Sequence, residues 1–181
     1  MTPEPQRASR ADARTANLLG ALALTVTDAM RDAVASASPG RGGAAPAALV
    51  LLHDEPGMSV SSLGEAIGLT QPGAARLVDA LEAEGLVVRA PGADGRTHAL
   101  RLTAAGQRRV RAMLSARAAV LDELLAPIST TQRRQLEGLS ERLLLAWVHD
   151  EPHAIEVCRL CDTDTCPLDR CPVELAALAG T

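Results

Sequence analysis

The fold is decided by residues 59–103, which read SVSSLGEAIGLTQPGAARLVDALEAEGLVVRAPGADGRTHALRLT. Ser59 is a residue type that caps helix N-termini, and Val60, Leu63 and Ile67 recur behind it at helical spacing. Gly68 then stands where helices commonly end. The pattern predicts one helix of about two turns.

A second short helix is predicted to begin after Thr70. Thr70 can cap this helix, and Pro72 is tolerated in a first turn. One apolar stripe is expected to be buried, and it consists of Ala74, Leu77, Val78 and Leu81. The other faces carry short side chains and one long cation, at Gln71, Ala75 and Arg76.

A hairpin follows the two helices. Leu86 to Arg89 is a strand-like run, Asp94 and Gly95 are a strong turn signal, and residues 98–102 alternate with period two. Helix, short turn, helix and hairpin together predict a winged helix-turn-helix, in a mainly α (α+β) fold. Such a unit places its second helix in the DNA major groove and its wing along the backbone or in the minor groove. A winged helix used only for protein contacts is the alternative.

Long amphipathic helices are predicted on both sides of this unit. One begins near Ala11 and ends before the Gly-rich loop at 36–43, and a shorter one spans about 45–52. Beyond the wing, Thr103 caps a helix that Pro127 stops, and Ser129 with Gln132 forms a capping box for another. These helices bury more apolar surface than the winged unit needs. We therefore expect a homodimer interface, with a monomeric helical domain as the alternative.

The sequence thus divides into five segments. We predict a disordered tail (1–10), an N-terminal dimerisation helix with its loop (11–43) and a winged helix-turn-helix DNA-binding domain (44–103, the winged unit). C-terminal dimerisation helices (104–150) and a cysteine-rich appendage (151–181) follow.

Composition and charge limit how the winged unit could bind DNA. The 181 residues include one Trp and no Phe or Tyr, so aliphatic side chains must build the core. The net charge of −4 is concentrated in the last segment, because residues 150–181 hold seven acidic residues and two Arg, while the other 149 residues sum to +1. DNA binding would therefore depend on a few placed arginines.

Residues 1–10 do not resemble a signal peptide, and no apolar run approaches the ~18 residues of a membrane span. The prediction is a cytoplasmic protein without membrane partners. In that compartment cysteines are more often metal ligands or redox thiols than structural disulfides.

Several motifs resemble the MarR family of dimeric bacterial transcription regulators. LTQPGAARLV (69–78) and LEAEGLV (81–87) are similar to the family's recognition helix and the approach to its wing, and DGR (94–96) with LRLTAAG (100–106) to its wing and following helix. The resemblance covers roughly 11–150. It implies a homodimer bound to double-stranded DNA at an inverted-repeat (palindromic) operator. The predicted DNA-binding residues are Thr70, Gln71, Ala75, Arg76 and Arg96.

The two arginines have alternative roles, and one residue departs from the family pattern. Arg76 could instead pair with Asp79 or Glu82 on its own helix, and Arg96 with Asp94. Gly73 departs from the family where a longer side chain could reach DNA. We expect a repressor, and a small-molecule effector stays open. There is no phosphate loop, nucleophile elbow or cluster of His and carboxylates, so we predict that the protein is not an enzyme.

The appendage carries all four cysteines. Cys158, Cys161, Cys166 and Cys171 follow a C-x2-C-x4-C-x4-C pattern, the spacing of a retroviral-type zinc knuckle with Cys in place of its His. We predict a bound Zn²⁺, with an iron–sulfur cluster and free redox thiols as alternatives. His149 or His153 could replace one Cys. Because the motif follows the last long helix, a change in its ligation could shift that helix and regulate DNA binding.

Overall fold

The computed structural model describes residues 10–38, 43–91, 98–166 and 168–179. The chain is mostly helical with one small sheet. The elements in chain order are α1 (Arg10–Ala37), α2 (Ala45–Asp54), α3 (Val60–Ala66), α4 (Gln71–Ala83), β1 (Val87–Pro91), β2 (His98–Leu102), α5 (Ala104–Leu125), α6 (Thr130–Trp147), α7 (Glu151–Cys158), a 3₁₀ turn (Leu168–Arg170) and α8 (Pro172–Ala179).

Side-chain caps begin five of the helices. The hydroxyl or carboxylate of each cap accepts a backbone N–H one turn ahead, at Ser59, Thr70, Thr103, Ser129 and Asp150. The predicted capping box at Ser129 and Gln132 is present, with both reciprocal bonds made. Gly68 and Gly85 follow α3 and α4 with φ of 67° and 68°, a conformation that side chains with a Cβ rarely adopt.

The main core lies between α2, α5 and the winged elements. Its largest fully buried side chains include Leu49, Leu63, Leu81, Leu100 and Met113. All of them are aliphatic or thioether side chains, as the near absence of aromatic residues requires. The C-terminal end of α1 joins this core through Val34, and Arg109 of α5 donates to the hydroxyl of buried Ser38 at 3.2 Å.

The sheet is a two-stranded antiparallel hairpin. Its register pairs Val87 with Leu102 and Pro91 with His98. The other edge of β2 is also occupied, because Leu100 donates to the Met58 carbonyl at 2.8 Å and accepts from the Gly57 N–H at 2.9 Å. The hairpin is therefore held against the chain that enters α3.

The predicted element types are confirmed, and several boundaries differ. β1 begins at Val87 rather than Leu86, whose N–H and carbonyl bond to Leu81 and Thr103 instead. α2 extends to Asp54, so His53 is an exposed residue of its last turn rather than of a loop. α1 already includes Arg10, which was assigned to the tail.

Parts of the prediction lie outside the described residues. These are residues 1–9 of the tail, residues 39–42 of the Gly-rich loop, and the wing tip with Asp94, Gly95 and Arg96.

The two long outer helices expose much of their apolar surface. α6 contains no buried residue, and Leu139 and Trp147 are 57% and 74% exposed. On α1 the leucines at 18, 19, 22 and 24 are all exposed as well. None of the described helices is long and apolar enough to cross a membrane.

The appendage folds into two short helices that were not predicted from the sequence. α7 and α8 pack on each other and α8 packs on α6. A second, smaller core forms there from Val148, Ala154, Val173, Ala176 and Ala177, with Cys171 buried among them. The cysteine motif is therefore built between helices rather than in an isolated loop.

Candidate nucleic-acid interface and cysteine cluster

The N-terminal end of α4 presents an exposed polar surface. The Thr70 hydroxyl accepts the Gly73 N–H at 3.4 Å, which fixes the start of the helix. Gln71 and Arg76 are exposed and Ala75 is half-buried, while Ala74, Val78 and Leu81 face the core. Leu77, expected to be buried, is only half-buried. We call Thr70, Gln71, Ala75 and Arg76, which the sequence predicts to contact DNA, the DNA-reading surface.

Close packing explains two small residues beside this surface. A Cβ on Gly73 would lie 3.2 Å from the Thr70 hydroxyl, so glycine leaves the cap undisturbed. A Cβ on Gly64 would lie 2.8 Å from the Ala74 Cβ, which is closer than two methyl groups approach. Gly64 therefore sets how closely α3 and α4 cross, and hence the angle at which α4 is presented.

Arg89 of β1 connects the hairpin to α4. Its guanidinium donates to the Asp79 carboxylate at 2.6 Å and also pairs with Glu82. These are the two acids considered as alternative partners for Arg76. Within the described ranges Arg76 has no hydrogen-bond or ion-pair partner, so its charge is available on the surface of α4. Arg89 therefore offsets one of the two negative charges that Asp79 and Glu82 bring to the same helix.

All four cysteines line one cavity of about 490 Å³. One wall comes from α2, including Val50 and Leu51, and from Ile67 just after α3. The other wall comes from α7, α8 and the loop between them. Cys171 is buried, Cys158 and Cys161 are half-buried, and Cys166 is exposed. The structure thus brings the four predicted ligands to one place.

The thiols interact with one another and with a nearby cation. The pKa of Cys161 is lowered to about 6, first because Cys158 donates a hydrogen bond to its sulfur and also because Arg117 lies near. The same bond, with burial, raises the pKa of Cys158. Burial also raises the pKa of Cys166.

A preformed metal cage is not present in the described ranges, because no group of three or more His, Cys, Asp or Glu side chains there is arranged to hold a metal ion. His149 and His153 do not join the cysteines. Their Nδ1 atoms lie 3.0 Å apart, and both residues line a different cavity, between α1, α3 and α7.

Three features of the site were not predicted from the sequence. They are the Arg89 pairs, the Gly64 contact, and a hydrogen bond of 3.0 Å from the Thr163 hydroxyl to Asp54. The sequence contains a weak indication of the Arg89 pairs, since Arg89 is a cation in a strand that follows an acidic helix end. Gly64 and Thr163 had none, because their partners lie on other elements.

Comparison with known proteins identifies the fold. Residues 40–97 match the sequence profile of the MarR family. No curated protein matches the chain. Among solved structures, RV1404 from Mycobacterium tuberculosis superposes with a TM-score of 0.67 at 21% identity, over 80% of this chain and 99% of that chain.

Two further structures agree. A MarR family protein from Bacillus stearothermophilus superposes with a TM-score of 0.65 at 23% identity, over 76% of this chain and 95% of that one. MepR, a transcription regulator of the Staphylococcus aureus multidrug efflux pump MepA, has a TM-score of 0.62 at 19% identity, over 72% and 96%. The chain has the winged-helix fold of MarR transcription regulators.

Proposed function

We propose that this protein is a DNA-binding transcription regulator that binds an inverted-repeat operator as a homodimer. The observation that carries the proposal is the exposed start of α4, where Gln71 and Arg76 project from a capped helix whose opposite face is locked in the core. A helix N-terminus of this kind suits the major groove, since its backbone N–H groups and one cation face phosphate. The MarR profile match over 40–97 covers the same surface.

A second copy of the chain supplies what one winged unit lacks. With a body of about neutral charge, one DNA-reading surface provides few phosphate contacts, and two copies at a fixed distance double them. The exposed leucines of α1 and α6 form the apolar surface that such a dimer would cover. Half-sites about one helical turn apart, roughly 34 Å, would then be read together.

The regulator is proposed to act as a repressor in the cytoplasm, where its operator is. Arg96 is proposed to contact DNA from the wing tip.

Salt-dependent binding tests this function. Fluorescence anisotropy of the full-length protein on fragments of its own promoter should show binding that weakens steeply with salt. Arg76→Ala should reduce affinity by about tenfold, in the range of one charged contact. Arg111→Ala on α5, which removes another exposed arginine outside the winged unit, is the matched control and should leave affinity unchanged.

The second candidate is an interaction module whose winged helix contacts a protein. It predicts no binding to any promoter fragment at low salt, in any metal state. That result would reject the regulator.

We further propose that the cysteine cluster binds Zn²⁺. Four soft thiol donors on one cavity suit a tetrahedral site, in which sulfurs at the usual ~2.3 Å from zinc lie roughly 3.8 Å from each other. Arg117 beside Cys161 would offset the negative charge that four thiolates bring. Because no cage is already formed, the side chains must reorient on binding.

Elemental analysis and the visible spectrum of anaerobically purified protein test the metal. One zinc per chain and a colourless protein are expected. Brown protein with iron and sulfide would replace zinc with an iron–sulfur cluster, and protein that takes up neither would leave the thiols as redox groups.

A further inference from the structure

The appendage is not merely attached to the end of α6, because it is also docked on the winged unit. The Thr163 hydroxyl donates to the Asp54 carboxylate of α2 at 3.0 Å, across 109 residues of sequence. Leu160 packs against the main core, and α7 lies on α3. The cysteine loop, residues 158–166, therefore touches the helices that carry α4.

The other end of the appendage is fixed to the proposed dimer helix. α8 packs on α6, where Leu144 joins the small core of Val148, Val173 and Ala177. The appendage thus spans from α6 to α2 and α3 within one chain. A change in the shape of the appendage would therefore alter its contacts with α6 and with α2 and α3.

Thr163 lies between the second and third cysteines of the motif, Cys161 and Cys166. In the described part of the loop its turn is held by Asp162, which accepts bonds from the backbone of Asp164 and the hydroxyl of Thr165. These are exposed hydrogen bonds, which stabilise a turn only weakly. A metal bound by cysteines on both sides of Thr163 would determine where its hydroxyl stands relative to Asp54.

We propose that ligation of the four cysteines is transmitted to the winged unit of the same chain through the contact between Thr163 and Asp54, and thereby strengthens DNA binding. The inference rests on the proposed function. A rigid appendage holds α2 and α3 in one orientation relative to α6. Two DNA-reading surfaces in a fixed arrangement lose less conformational freedom on binding an operator, so zinc raises affinity.

The test compares zinc-loaded and zinc-free full-length protein on the same operator. For the unaltered protein, zinc should tighten DNA binding about fivefold or more, the lower end of usual allosteric couplings. It should also slow amide hydrogen exchange in peptides covering residues 50–66. Zinc content is measured for every variant, so loss of metal and loss of transmission are separated.

Four substitutions isolate the contact. Thr163→Val keeps the shape and removes the donor, and Asp54→Ala removes the acceptor, so each should bind zinc normally and lose most of the zinc effect on DNA. Asp54→Asn keeps an acceptor oxygen and should retain the effect. Thr165→Val removes a hydroxyl that bonds to Asp162 within the loop, so it is the matched control and should retain the effect as well.

The outcomes are distinct. Loss of the zinc effect in the first two variants, with retention in the last two, supports transmission through this contact. Normal DNA and zinc binding with an equal zinc effect in all four variants overturns the inference and leaves the proposed function intact. Absence of DNA binding, or of zinc, in the unaltered protein overturns the proposed function or its metal, and this inference with it.

Discussion

At the scale of single residues, Gly64 allows α3 and α4 to pack closely because its side chain is only a hydrogen atom. Gly64→Ala would bring a methyl within 2.8 Å of the Ala74 Cβ and force α3 away from α4. We expect a loss of about 1–3 kcal/mol in the free energy of unfolding, measured in urea. Gly20→Ala on α1, where a Cβ meets nothing within 4 Å, should instead gain about 0.5–1 kcal/mol. Equal effects of the two would contradict the contact.

The carboxyl group of Asp54 makes the stability of the folded protein depend on pH. Burial raises the pKa of its carboxyl despite the bond from Thr163, and Asp162 and Asp164 lie nearby. The folded protein thus disfavours the charged carboxylate. The free energy of unfolding therefore falls as pH rises from the ordinary pKa of an aspartate, near 4, through the raised pKa of Asp54. Asp54→Asn should stabilise the protein at pH 7 by up to about 0.5 kcal/mol, and the gain should vanish below about pH 4. Thermal unfolding across this range measures it; a gain independent of pH would exclude the titration of Asp54.

At the scale of elements, Arg89 connects β1 to the C-terminal half of α4 through Asp79 and Glu82. Arg89→Ala should cost less than about 1 kcal/mol of stability, because the pairs are partly exposed. If α4 contacts DNA as proposed, the larger effect should be on DNA binding, since two unpaired carboxylates would remain on α4. We expect affinity to fall by about three- to tenfold in anisotropy titrations.

Adding Asp79→Asn to Arg89→Ala is the control for this explanation. It removes one of the unpaired charges and should recover part of the lost affinity. No recovery would mean that Arg89 acts by holding the hairpin rather than by neutralising α4.

At the scale of the whole molecule, the exposed leucines of α1 and α6 predict a homodimer interface. Leu139 is 57% exposed on a helix with no buried residue. Leu139→Glu would place a charge in the proposed dimer interface, and sedimentation should show monomers at micromolar concentration. Val88→Glu, an exposed apolar position on the hairpin, is the control and should leave the dimer intact. Unchanged dimers of the Leu139 variant would place the interface elsewhere.

Helix beginnings and apolar stripes could be predicted because they depend on nearby residues. Ser59, Thr70, Thr103 and Ser129 cap helices through bonds to residues three positions ahead, so composition and spacing suffice. The two helices of the appendage were missed because the cysteines, Pro and Asp there also suit a metal-bound loop. Their small core depends on α6, which lies outside the segment.

The sequence by itself therefore determined the order of elements from α1 to α6, the winged unit and the gathering of four cysteines in one segment, since each follows from local chemistry or periodicity. Only the tertiary structure decided which charges pair and what the appendage touches. Arg89 rather than Arg76 forms ion pairs with Asp79 and Glu82. Thr163 donates a hydrogen bond to Asp54, 109 residues earlier in the chain. These contacts join residues on different elements, and their partners depend on how helices and strands pack rather than on any local pattern.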